Sequence, residues 1–249
     1  MRLTDATWTD ADAADVDAVL LPVGSTEQHG PHAPLGTDAI AAETVAERAA
    51  DAYDDANAGS LLVAPTVSVG VSEEHRQFTG TLWVAPDTFR AYVRDTVASL
   101  AHHGWTDVVL VNGHGGNVPA LGEVAATITR HDDAYAVPFT WFDAVGEHSA
   151  DMGHAGPLET AFLRHTDPDL VREDRVDAAR DGASERWGEW VSHANLAHDA
   201  AEFSENGVVG DPGDGSAERG AELLSLAVES LCDLVAAVVA RENDRPPHK

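Results

Sequence analysis

A chain of 249 residues with 43% hydrophobic content can bury a sizeable core, and its alternating strand and helix signals predict one domain over residues 1–242 with a flexible tail at 243–249. The 43 acidic residues against 15 Lys and Arg give a net charge of −28, which argues against nucleic-acid backbones and anionic membranes as partners. With no apolar run near the roughly 18 residues of a membrane span, no signal-peptide pattern at Met1–Asp5 and a single cysteine, the expectation is a soluble cytoplasmic protein without an intramolecular disulfide.

After a short acidic entry, the apolar run Val16–Val23 predicts a first strand. It empties into GSTEQHGPHAPLGTD, which packs Glu27, His29, His32 and Asp38 into twelve positions. Carboxylate oxygens and imidazole nitrogens together form the ligand set of Zn, Mn or Fe(II), and a dinuclear site needs a carboxylate able to bridge two ions, for which Asp38 is the candidate. In an extended segment the i, i+2 spacing of Glu27 and His29 points both side chains to one side. The competing reading makes Asp38 the N-cap of the helix predicted over Ala39–Tyr53.

Leu61–Val69 predicts a second buried strand, followed by a polar loop containing Glu73, Glu74 and His75 that is rich in functional groups for a mere connection. Glu74 and His75 are candidates to orient ligands from behind, or simply surface residues. A helix over 87–103 leads to the strand Thr106–Val111, which ends in Asn112-Gly113-His114-Gly115-Gly116-Asn117. Sites in open α/β sheets collect beyond the carboxyl ends of parallel strands, which suits His114. A Gly-rich turn before a helix can also cradle phosphate, although neither common phosphate-loop pattern is present.

Val118–Arg130 reads as a helix and Ala134–Thr140 as a fourth strand. Pro157 fits the first turn of a further helix, which places Glu159 in that turn and His154 just outside it, so both can face one cavity. A first-turn Glu also serves as a dipole partner. Residues 168–200 read as peripheral helices and loop, Phe203–Ser216 as a turn-dense loop, and Ala217–Arg241 as a closing amphipathic helix holding Cys232.

Taken together, GSTEQHGPHAPLGTD, SEEHRQFTGT, NGHGGN, GHAGPLET and SENGVVGDP resemble the creatininase family of metal-dependent amidohydrolases, in family order across residues 20–240. The resemblance implies a three-layer α/β/α domain with a mostly parallel central sheet, a two-metal site on its carboxyl edge and often a homo-oligomer, specifically a hexamer. By position Glu27, Asp38 and His114 match one metal's ligands, His29 and Asp38 match the other's, and His154 matches the proposed acid/base. Creatininase itself has His-Tyr-Glu where this chain has His114-Gly115-Gly116, and a substrate-closing tryptophan at the position of Ala150. Both departures argue against creatinine. The glycine version is more similar to the archaeal formamide deformylase of flavin and deazaflavin synthesis and to the mycofactocin-precursor peptidase, with a lean towards the peptidase. Glu159 is the replacement candidate for the carboxylate missing at Gly116, which counts it with His154 at the catalytic centre and with the metal ligands.

The expected activity is hydrolysis of a C–N amide bond in a small amide or short peptide by a water activated on one or two divalent ions, Zn, Mn or Fe(II). Backbone N–H groups of the Gly115-Gly116 turn are candidate stabilisers of the developing oxyanion. The alternative from another class is a non-catalytic α/β ligand-binding module.

The scattered acidic residues and the single lysine, Lys249, resemble proteins of high-salt cytoplasms. Self-repulsion of such a surface is screened over about 3 Å at molar ionic strength and about 30 Å near 0.01 M. The thermal midpoint should therefore rise with KCl, and a midpoint flat from dilute to molar KCl would contradict this account of the charge.

Overall fold

The computed structural model describes residues 1–56 and 59–241, so the tail expected at 243–249 lies outside the described residues. Four strands, β1 (Ala18–Val23), β2 (Leu61–Val63), β3 (Asp107–Asn112) and β4 (Tyr135–Thr140), form a parallel sheet in the order β2-β1-β3-β4. Every residue of β1 is buried, as a strand covered on both faces requires.

The pleat sorts the core into two. Ala18 and Leu20 of β1, with Val109 and Val111 of β3, pack on the side occupied by α2 (Thr37–Ala56), α5 (Pro157–Thr166) and α7 (Ala217–Val239). Val19, Leu21 and Val23, with Val108 and Leu110, face α3 (Pro86–His102) and α4 (Val118–His131). Within the helices, Val45, Ala49 and Tyr53 of α2, and Phe89, Val93 and Val97 of α3, recur at helical spacing along the buried stripe. The result is a mostly parallel sheet with helices on both sides.

Three differences from the sequence reading have local causes. β2 ends at Val63 instead of running to Val69, because Pro65 has no N–H for the ladder; beyond it the chain stays alongside β1 through Ala64 N–H to Leu20 O, Val67 N–H to Pro22 O and Gly24 N–H to Val67 O. Helix α2 begins at Thr37, so Asp38 lies inside its first turn and is not its N-cap. The stretch expected as peripheral helix and loop holds α6 (Val176–Asp181) and a hairpin of β5 (Trp190–Val191) and β6 (Ala194–Asn195), turned by Ser192 and His193 at positive φ.

Strand order reverses between β1 and β3: the chain leaves β1 for one neighbour and reaches the other later. A crevice opens beyond the carboxyl ends of two strands at such a switch point. The loops after β1 and β3 flank it.

Candidate metal centre

The loop after β1 brings Glu27 and His29 to the crevice, the first turn of α2 brings Asp38, and the turn after β3 brings His114. His154 comes from the segment preceding α5 and Glu159 from its first turn. All six are buried. The two oxygens of Asp38 serve different rings, Oδ1 lying 3.0 Å from His29 Nε2 and Oδ2 3.2 Å from His114 Nδ1. Glu27 Oε1 is 3.2 Å from His114 Nδ1 and 3.6 Å from His154 Nδ1. Glu159 Oε1 is 3.6 Å from His29 Nε2, while its Oε2 accepts the Ala155 N–H at 2.6 Å. That anchor holds Ala155 in the left-handed region (φ 49°), unusual for a residue with a Cβ.

Several of these atoms lack partners. Both oxygens of Glu27, Asp38 Oδ2 and His29 Nε2 are buried with no hydrogen-bond partner among the described residues. Glu27, His29 and Asp38 form one group whose ligand atoms lie within 4.8 Å of one another; His29, His154 and Glu159 form a second, and Glu27, His75 and His154 a third. Ligand atoms about 2.0–2.2 Å from a shared ion have mutual distances of this order, and the mixed O/N set suits Zn, Mn or Fe(II). The residues present therefore fit one or two divalent cations.

The electrostatics agree with that fit. Burial is the largest influence on His29 and His114 and lowers both, but Asp38 and Glu159 outweigh it at His29, and Glu27 and Asp38 at His114, holding both imidazoles well above their ordinary value. Burial pushes the Glu27 carboxyl up against the pull of His114. For Asp38 burial is again the largest influence and acts upwards, yet His29 and His114 together bring the carboxyl below its usual range. His154 is pulled down to about 4 by burial and then by His29, so the ring is neutral near pH 7.

The cleft above this cluster has a volume of about 780 Å³, lined among others by Glu74, Gly115, Gly116, Phe142, Met152 and Trp187. Gly116 is more than a missing ligand: a Cβ there would lie 2.2 Å from Val71 O and 2.5 Å from His114 Nε2, so no carboxylate side chain can be seated without backbone movement. The phosphate reading of this turn fails on charge, since Glu74, Glu27 and Asp38 all lie within 4 Å of the His114 ring nitrogens. Ala150 also lines the cleft. The aromatic wall comes instead from Trp187, edge-on to His75 at 5.7 Å and His154 at 6.1 Å.

Two participants carried no distinctive sequence signal, and His32, which stood with Glu27, His29 and Asp38 in the loop after β1, does not join their cluster. Trp187 belongs to the stretch that reads as periphery, and Gln28 is inconspicuous between two stronger candidates. His32 is buried beneath the centre with Nε2 at 2.9 Å from Thr160 Oγ1. Burial, then His29, pulls it to about 4.

A parallel α/β sheet carrying a buried carboxylate–imidazole centre at its switch point defines a hydrolase of the metal-site class. Residues 4–235 match the family described as Creatininase, creatinine amidohydrolase, and the chain belongs to that family. A mycofactocin precursor peptide peptidase of Mycolicibacterium smegmatis is 35% identical over 223 residues, covering 88% of this chain and 85% of the relative. A creatinine amidohydrolase of Pseudomonas putida is 26% identical over 257 residues, covering 93% and 94%. A solved mutant creatininase of Zn-Zn type shares the fold with a TM-score of 0.82 at 24% identity, over 96% of this chain and 98% of that one. Family membership among hydrolases weighs against the ligand-binding module.

A cation entering this centre must displace the protons that His29 and His114 hold. Apparent metal affinity should therefore rise between pH 6 and pH 8, with proton release visible by calorimetry in buffers of different ionisation enthalpy. Both folded-state pKa values lie above the ordinary 6.5. In the metal-free protein these imidazoliums thus stabilise the fold fully below about pH 6.5, and that contribution fades as the pH rises through the raised values. Affinity that is flat across this range would overturn the assignment.

Proposed function

We propose that the protein is a peptidase-like amidohydrolase that cleaves a C–N amide bond in a short peptide. The observation that carries the reading is the set of buried, partnerless atoms of Glu27, His29 and Asp38 beneath a cleft of about 780 Å³ that His114, His154 and Glu159 line. That volume lies within the range that encloses a drug-sized ligand and exceeds what a formamide or creatinine needs. The 35% identity to a precursor-peptide peptidase supports the same choice.

In this reading Glu27, Asp38 and His114 would hold one cation, and His29, Asp38 and Glu159 would hold a second. A divalent cation held there supplies Lewis-acid polarisation and lowers the pKa of water. His154 is the proton carrier. Its Nε2–H donates to Gln28 O at 2.6 Å, which leaves the Nδ1 lone pair facing the centre. Nδ1 accepts the proton of the attacking water and returns it to the departing amide nitrogen, so that the acid and amine products balance. Trp187, Phe142 and Met152 wall the cleft and exclude water around the reacting group.

The test is turnover of a panel of small amides, formamides and short peptides by protein stripped with chelator and reloaded with Zn, Mn or Fe(II). Release of free amine from a peptide only after reloading is expected; metal-independent turnover, or none with any metal, would overturn the reading. His154→Ala should keep its metal and lower kcat by about 10² to 10⁴. Glu159→Gln should hold less metal than the parent at limiting supply, and equal content would remove Glu159 from the ligand set.

A further inference from the structure

Four imidazoles surround the centre, and three are held alike. His29, His114 and His154 each donate an outward N–H to a backbone carbonyl, that of Glu27 at 3.2 Å, Val71 at 2.7 Å and Gln28 at 2.6 Å. Each thereby presents the other nitrogen to the centre, where a lone pair can meet a cation.

His75 is held the opposite way. Its Nδ1 lies 2.9 Å from Nε2 of Gln28. Two backbone groups set the direction of that amide: its Oε1 accepts the Gly30 N–H at 2.9 Å, and its Nε2 donates to Gly207 O at 3.1 Å. Reversing the amide would set N–H against N–H at Gly30 and oxygen against oxygen at Gly207. Gln28 is therefore the donor to His75, Nδ1 is the acceptor, and the proton of the neutral ring sits on Nε2. A second proton, on Nδ1, would point into the Gln28 N–H. The ring is stacked on His154, with centroids 4.3 Å apart and planes at 22°, and forms part of the cleft wall. Its Nε2 is buried without a hydrogen-bond partner among the described residues, and Glu27 Oε1, at 3.6 Å, is too distant to be one.

We propose that His75, which by distance alone could form a ligand trio with Glu27 and His154, is instead a fixed hydrogen-bond donor whose Nε2–H receives the carbonyl oxygen of the scissile amide. A ligand must offer a lone pair, and this nitrogen offers a proton. When water adds to the carbonyl carbon, the C=O π pair moves onto oxygen and that charge meets the N–H, which keeps its proton. When the pair returns, the C–N bond breaks and the nitrogen takes its proton from His154. Gln28 is the positioning residue, and the carbonyl of Gly207 gives the SENGVVGDP loop its part in the site. The proposal rests on the amide-hydrolase reading.

The experiment uses Zn-loaded protein labelled with 15N-histidine, together with His75→Ala and His75→Gln, whose amide can restore a donor near Nε2. The expected results are an Nε2-protonated His75 in the parent and parental Zn content in both variants. On a peptide or formamide that the parent cleaves, kcat of His75→Ala should fall about 10²- to 10³-fold, the usual effect of losing one oxyanion donor, with partial recovery in His75→Gln. Loss of Zn from a folded His75→Gln, an Nδ1-protonated ring, or unchanged kcat in His75→Ala would each overturn the proposal. The tautomer and the Zn content are read without substrate. A parent that cleaves nothing in the panel thus fails the hydrolase reading and the oxyanion role with it, whereas a wrong tautomer in an active parent fails only the role of His75.

Discussion

Three buried carboxylates, Glu27, Asp38 and Glu159, converge on one spot, and their charge is the constraint around which the rest of the molecule is arranged. An unpaired carboxylate out of water costs several kcal/mol, so the centre must contain compensating positive charge, whether protons on His29 and His114 or divalent cations in their place. Asp38 carries most of this burden. Its two oxygens face two different imidazoles, and its seat in the first turn of α2 adds the positive end of a helix dipole. Proton binding, cation binding and fold stability are for this reason one linked equilibrium.

The sheet supplies the geometry that makes such convergence possible. Only at the switch point between β1 and β3 do two strand ends deliver their loops into a shared crevice while helices from both faces frame it. The far side is closed by reciprocal backbone bonds between His154 and Val209, which bind the segment before α5 to the 207–210 loop. The outward hydrogen bonds decide which nitrogen of each ring faces the centre: Nε2 of His29, Nδ1 of His114, Nδ1 of His154 and Nε2 of His75.

The cleft departs from the creatininase pattern in two coordinated ways. Gly116 has no room for a side chain, and Glu159, in the first turn of α5, lies 3.6 Å from His29 Nε2. Ala150 leaves the wall open, and Trp187 stands against His75 and His154 from the hairpin-bearing segment.

Periodicity and composition were enough to locate the four strands of the parallel sheet, though not the end of β2, and the main helices, because each is a local response to burial on one face or two. The runs at β1 and β3 are apolar on both faces, and such runs have few other places to go. Glu27, His29, Asp38, His114, His154 and Glu159 also stood out by residue type and by the turns that hold them. Local sequence could not decide that Asp38 faces two rings and not the helix N-terminus, since that depends on β3 delivering His114 from 76 positions later in the chain. It could not decide the proton on His75, which depends on a carbonyl at Gly207 and an amide at Gln28 meeting across 179 positions. Nor could it place Trp187, whose neighbours give no periodic signal and whose position is set by contact with rings from three other segments. Burial patterns are written in neighbouring residues, whereas hydrogen-bond direction and ligand geometry exist only once distant segments are packed together.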